Sequence, residues 1–230
     1  DSTDMILIML QSCGASMFDE DGAVNFTAND ALKVVLETYN TMVQEKIFAE
    51  VNSWDEYIGT LSNGTATCAM TGCWILSTIS SLPDQSGNWA VTNLPALDGV
   101  EGATHYSNNG GSSWAITAGK DEDLALDFMK LYTNVDFYNT ILPTTSAIAT
   151  WAPAKEGSNY TAPQEFFGGD AVFAKIVDYT AQVPANITGA FYYDARNALS
   201  TAKTRYLNGE GELDDLLGQA EDDVNFNMGF

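Results

Sequence analysis

Basic residues are scarce in this chain: nine lysines and arginines stand against 31 aspartates and glutamates in 230 residues, a formal charge of −22 at pH 7. A surface that negative repels phosphate backbones and anionic headgroups, which argues against nucleic acid and against a membrane surface as partners. Histidine is nearly missing, His105 being the single one. A multi-histidine metal site is thereby excluded, and a Ser-His-Asp or Cys-His catalytic set would have to use His105. That residue lies in a loop of small polar residues with no nucleophile motif beside it, and reads as an exposed or hydrogen-bonded loop histidine. The three cysteines, Cys13, Cys68 and Cys73, are too few for a disulfide framework and lack zinc spacing, so they read as small buried hydrophobes. Cys68 and Cys73 are not expected to pair, because one falls in a predicted strand and the other in the turn that follows it.

Phosphate-cradling loops are also missing. There is no G-x-x-x-x-G-K-[ST] and no G-x-G-x-x-G after a strand, and no cofactor is expected. No run of about 18 apolar residues exists to span a membrane. The opening Asp-Ser-Thr-Asp lacks the basic flank of a signal peptide, so any export signal is expected upstream.

What is present is enough to fold. Hydrophobic residues make up 45% and aromatics 11% of the chain, well above a disordered acidic segment, and the length suits one large domain or one and a fraction. The acids occur singly or in short clusters such as 121–123 and 221–223, which read as solvated helix faces. Asp19 and Asp21 sit in a turn without the remaining ligands of an EF-hand. From Thr27 to Lys46, Leu32, Leu36, Tyr39 and Val43 recur at helical spacing, with Thr27 and Asp30 as a capping box, and Ser53-x-x-Glu56 opens a second helix ending at Asn63-Gly64. Helical periodicity also covers 75–82, 121–132, 170–179, 190–207 and 212–224. Alternation predicts strands at 65–71, 88–94 and 112–117. The fold class expected is α/β.

No acid lies in an apolar context that would suit general-acid work, so the residues do not single out a carboxylate pair. The aromatics are more pointed, because amphipathic rings among hydrogen-bonding groups suit a sugar's apolar faces and equatorial hydroxyls. Trp74 follows a predicted strand, where ligands bind in open α/β sheets. Phe191-Tyr-Tyr-Asp194 opens a helix that also carries Arg196.

As an ordered series, Phe18-Asp-Glu-Asp-Gly22, the helix 28–46, Ser53-Trp-Asp-Glu56, Leu61-Ser-Asn-Gly-Thr-Ala66, Met70-Thr-Gly-Cys-Trp74, Trp89-Ala-Val-Thr-Asn-Leu-Pro95, Asn109-Gly-Gly-Ser-Ser-Trp-Ala-Ile116 and Ala190-Phe-Tyr-Tyr193 with Arg196 resemble the second half of the family 1 extracellular solute-binding proteins. This is the family of maltose-binding protein. The resemblance implies a periplasmic-binding-protein-like type II fold, mostly the second lobe, with most of the first lobe missing. Residues 1–111 would belong to the second lobe, 112–147 would return to the first, and 148–230 would complete the second. It implies an extracellular, cell-surface or periplasmic receptor, a monomer, that hands a carbohydrate to ABC transporter permease subunits, with lipid anchoring through a missing N-terminus as one option.

By position, Trp74 and Tyr192 match aromatics that stack on sugar in that family, and Tyr193 and Arg196 match neighbours on the same wall. Asp4 falls near a further aromatic contact without being aromatic. Asn109, Gly111 and Ser112 match a loop that touches ligand near the hinge. Cys73 stands where the family has a small residue or proline, and Tyr192 replaces a tryptophan, so the sugar need not be a maltooligosaccharide. Two alternatives stay open at this point: a carbohydrate-active enzyme with a carboxylate pair, and the same fold taking a peptide, amino acid or polyamine.

Overall fold

In the computed structural model, which describes residues 2–49, 51, 53–108 and 110–229, the helices run in the order α1 (Ser2–Ser12), α2 (Asp30–Gln44), α3 (Trp54–Ser62), α4 (Ile75–Ser80), α5 (Glu122–Met129), α6 (Val135–Thr145), α7 (Ser158–Thr161), α8 (Val172–Thr180), α9 (Tyr192–Leu207) and α10 (Leu213–Met228), with short 3₁₀ turns between some of them. The chain divides into two compact units, one made of Asp1–Glu56, Leu94–Asn109 and Val183–Phe230, the other of Tyr57–Asn93 and Gly110–Gln182.

The first unit is built on α1, α2, α9 and α10. Leu32, Leu36 and Tyr39 repeat at helical spacing on α2, Ala195, Leu199 and Ala202 on α9, and Leu213, Leu217, Ala220 and Val224 on α10, and these stripes close into one buried core with Ile6 and Leu10 of α1. Val43 is only partly buried against that core. The start of α2 differs from the capping box expected of Thr27. Asn29 is the cap: its side chain accepts from Leu32 N at 3.1 Å while its own amide nitrogen donates to Ser16 O at 2.8 Å. A buried asparagine with both ends bonded fixes the entry of the helix better than an exposed threonine can.

Thr27 is held from elsewhere. Phe26 N and Thr27 N donate to Glu221 Oε2 at 2.7 and 2.8 Å, and Thr27 Oγ1 donates to Glu221 Oε1 at 3.0 Å. Glu221 lies on α10, so one member of the acidic cluster expected to be a solvated face instead clamps the approach to α2 onto the last helix. Before it, Asp19 Oδ1 accepts from Asp21 N and Ala23 N at 3.0 and 2.9 Å. The acids expected in a plain turn thus make one.

The second unit packs α4 and α6–α8 around Leu76, Leu142, Tyr160, Val172 and Phe173, beside a smaller cluster of Leu61, Ile75 and Ile79. Asn134 caps α6 by accepting from Phe137 N at 3.0 Å, and Asp121 caps α5 by accepting from Leu124 N at 3.0 Å. The Ser53 cap is present, its hydroxyl accepting from Glu56 N at 3.2 Å. Gly64, with φ 77°, follows the end of α3 at the position where a left-handed residue is needed.

The strands expected at 65–71, 88–94 and 112–117 form no ladder, and the α/β expectation is not confirmed. Among the described residues, β pairing is confined to the isolated bridges Phe18↔Val24 and Gln164↔Asp170. Alternation of side chains marks a segment able to lie extended. A strand exists only when a neighbour lies about 4.8 Å away to take its N–H and C=O groups along its length; among the described residues these segments gain no such ladder, although Leu94 N meets His105 O at 3.0 Å at the end of one of them. Three helices, α1, α6 and the four-residue α7, were not expected from periodicity.

Two outcomes follow from the first unit. Leu36 is 1% exposed, and Leu36→Ala is expected to destabilise by about 2 to 5 kcal/mol in urea unfolding; a loss near zero would mean the α2 register is wrong. Glu221→Ala is expected to cost about 1 to 3 kcal/mol by the same measurement, because three donors lose a charged acceptor together.

Candidate functional site

In the first unit, four of the sequence-derived residues come together. The segment that leads into α9 passes Gly189, where an added Cβ would stand 2.8 Å from Cε1 of the buried Phe18. The backbone is therefore seated directly on a core ring just before α9 begins. Tyr192 and Tyr193 occupy the first turn of α9, their ring centroids 5.5 Å apart with planes at 84°. Arg196 follows one turn later on the same face as Tyr192. Its Nη2 donates to Asp4 Oδ1 at 2.8 Å, joining α9 to the first turn of α1 in a partly buried ion pair. Burial pushes the Tyr192 phenol above its ordinary range, Arg196 opposes that rise, and Asp4 and Tyr193 add to it. Tyr192 is half-buried and Tyr193 is 73% exposed. The group thus offers ring surface next to a planar guanidinium and a carboxylate, a donor and acceptor set suited to hydroxyl groups.

The candidate loop is anchored by a residue that carries no sequence signal. Gln11, buried in the last turn of α1, donates through Nε2 to Pro184 O at 2.9 Å, and its Oε1 accepts from Ser107 Oγ and Asn108 N, both at 3.0 Å. Thr104 N adds a bond to Ser12 O at 2.7 Å. His105 places Nδ1 2.7 Å from Leu94 O, which requires the proton on Nδ1 and gives that ring a structural role. Asn109 lies outside the described residues. Gly110 and Gly111 have φ of 96° and 124°, values open in practice only to glycine. Gly111 and Ser112 are exposed and belong to the second unit.

Trp74, also in the second unit, precedes α4 at the end of a turn closed by Ile75 N to Gly72 O at 3.2 Å and Leu76 N to Cys73 O at 3.1 Å. Its ring is 40% exposed. The neighbouring Cys73 is half-buried, and burial pushes its thiol up against the opposing bonds with the backbone of Ile148, Cys73 and Trp74. Elsewhere in this unit Trp114, Phe128 and Tyr132 form a ring cluster, with Trp114–Tyr132 centroids 5.2 Å apart. Leu124, Leu126, Phe128 and Leu131 are exposed on and after α5.

Residues 1–168 match the model of a family described as bacterial extracellular solute-binding protein. The chain belongs to this family. It is also 38% identical over 221 residues to a lactose-binding protein of Rhizobium radiobacter, an alignment covering 95% of this chain and 52% of the relative. The chain thus spans about half the length of that curated relative.

For this solute-binding protein, the residues carried over from the resemblance fall into separate groups: Asp4, Tyr192, Tyr193 and Arg196 in the first unit, and Trp74, Gly111 and Ser112 in the second. Gln11 and Gly189 were missed, as was the Trp114 cluster. Only the exposed spacing of aromatics from 114 to 138 could have pointed to the last. Among the described residues, no group of three His, Cys, Asp or Glu could hold a metal ion, and no helix is long and apolar enough to cross a membrane.

All three cysteines are free thiols, Cys68 exposed, Cys73 half-buried and Cys13 buried. Burial raises the Cys13 and Cys73 thiols, so less of each is thiolate at a given pH. In timed iodoacetamide labelling at pH 8 read by peptide mass spectrometry, Cys68 is expected to react first, Cys73 later and Cys13 only as the protein unfolds. Early modification of Cys13 would contradict the packing of α1.

Proposed function

We propose that this chain is the larger part of the sugar-holding lobe of an ABC-importer substrate-binding protein, and that its ligand is a disaccharide, with lactose the first to test. The observation that carries this reading is the clustering of Tyr192 and Tyr193 with the Arg196–Asp4 pair. Rings supply a flat apolar surface for the C–H face of a sugar, and the ion pair supplies oriented donors and acceptors for its hydroxyls. The similarity to a lactose-binding protein favours a sugar over a peptide, amino acid or polyamine.

In this reading Trp74 is a second stacking ring, and Asn109, Gly111 and Ser112 present backbone and hydroxyl groups to the ligand. Residues 1–111 and 148–230 form one lobe of a type II α/β binding protein, and 112–147 cross to the other lobe, the sugar lying between the lobes. Three things support that arrangement: the extended segments that form no ladder among the described residues, the exposure of Trp114, Leu124, Leu126, Phe128 and Leu131, and the half-length match to the relative. Apolar side chains displayed over so long a stretch suit a protein surface that covers them. The receptor acts outside the cell as a monomer and delivers its sugar to membrane permease subunits, without chemistry on the sugar.

The test is isothermal titration of lactose and related disaccharides into the longer protein that contains this chain together with the portion its relative has beyond it. Trp74→Ala and Tyr192→Ala are each expected to weaken binding by about 2 kcal/mol or more, the usual contribution of a buried aromatic anchor. Unchanged affinity in both variants would remove the site. Tight binding by the 230-residue chain alone would remove the requirement for the second lobe.

A further inference from the structure

We infer that Gly72 is a positioning residue that seats the Trp74 indole, its missing side chain being the space in which the ring lies. The inference rests on Trp74 being a ligand-stacking ring. A Cβ added at Gly72 would overlap Cζ3, Cη2 and Cε3 of Trp74, far inside the separation of about 3.5 to 4 Å at which carbon atoms pack. The backbone gives no other reason for glycine. Gly72 is absent from the residues of positive φ, whereas Gly64, Gly87 and Gly110 have φ of 77°, 82° and 96° and would meet nothing within 4 Å of an added Cβ. Those glycines serve turns, and Gly72 serves a ring.

The seat is rigid on the other side as well. Ile75 and Leu76 are buried directly after Trp74 and begin α4, and the turn is closed onto the carbonyls of Gly72 and Cys73. The indole is thus held by backbone it lies against and by a helix start that cannot rotate without exposing core residues. A ring 40% exposed and held in one orientation loses little rotamer freedom when a sugar lands on it. With any side chain at position 72 the ring must swing away from its seat, so the change acts on orientation and leaves the aromatic present.

Two measurements on the longer protein test this. First, with 5-fluorotryptophan incorporated throughout and the Trp74 resonance assigned from Trp74→Phe, Gly72→Ala is expected to move the Trp74 ¹⁹F signal and leave the other tryptophan signals in place. Second, in titration with lactose, Gly72→Ala is expected to weaken binding about as much as Trp74→Ala, on the order of 30-fold, and to add nothing further in the Trp74→Ala background. An affinity unchanged by Trp74→Ala overturns the binding site itself, and the role of Gly72 with it. If Trp74→Ala weakens binding while Gly72→Ala leaves signal and affinity as they were, the seat alone is refuted. Should Gly72→Ala fail to fold, the double variant decides: folding with the Tm of Trp74→Ala supports the clash with the ring, and failure to fold overturns it.

Discussion

With 31 carboxylates and nine cations, the chain cannot neutralise its acids in pairs, and the fold depends on giving some of them backbone N–H groups to accept from. Glu221 takes Phe26 N and Thr27 N, Asp19 takes Asp21 N and Ala23 N, and Asp121 caps α5. Each of these satisfies donors that a turn or a helix start leaves open, without a cation. The ion pairs that do form, Lys33–Asp214 at 2.8 Å among them, lie at least partly in solvent, where such pairs contribute about 0 to 1 kcal/mol. Cohesion therefore comes from the apolar stripes of α1, α2, α9 and α10 in one unit and of α4 and α6–α8 in the other. The carboxylates fix the start of α5, the turn at Asp19 and the approach to α2, while Asn29 and Asn134 cap α2 and α6.

Against that scarcity the placement of Arg196 carries information. It is drawn to Asp4 across two helices, partly out of solvent, beside two tyrosines. Asp4 is partly withdrawn from water in a field this negative, and Arg196 supplies the opposite charge beside it. The pair ties α9 to α1. It also fixes the polar groups in one orientation, as the proposed recognition of a sugar hydroxyl would demand.

The parts of this picture legible in the sequence were those set by local periodicity. Leu32, Leu36 and Tyr39 announce α2, and Leu213, Leu217 and Val224 announce α10, because each stripe repeats within its own segment. Helix α1 was hidden by excess: Met5 to Leu10 is apolar without interruption, so no face stands out to mark a period. Asn29 lost to Thr27 as the expected cap because its competing partner, Ser16 O, lies outside the helix. Glu221 and Gln11 were illegible for a stronger reason. Their partners, at Phe26 and Thr27 and at Pro184 and Asn108, are remote in sequence, and nothing in either residue's sequence surroundings distinguishes it from the chain's other polar residues. The strands failed in the opposite way, since alternation reports an extended shape and is silent on whether a neighbour exists. For the candidate site, the run of aromatics beside polar residues pointed to Tyr192 and Tyr193 with Arg196, the resemblance added Asp4, and proximity of the four needed the fold of α1 against α9.

The two aromatic walls share a construction that bears on how a ligand could be held. Trp74 immediately precedes α4 and Tyr192 opens α9, and each is approached through a glycine in close contact with a ring, Gly72 against Trp74 itself and Gly189 against Phe18. At a helix start the backbone is fixed by the turns that follow, and beside such a glycine the chain or ring can come closer than any Cβ would allow. Both aromatics are therefore carried on elements whose position is set by buried neighbours, Ile75 and Leu76 in one case and Ala195 and Leu199 in the other. Stacking tolerates little error in plane or distance. Under the proposed function, a wall built this way would meet that tolerance through packing already present in the chain, which would leave the hydrogen-bonding groups around it to discriminate one sugar from another.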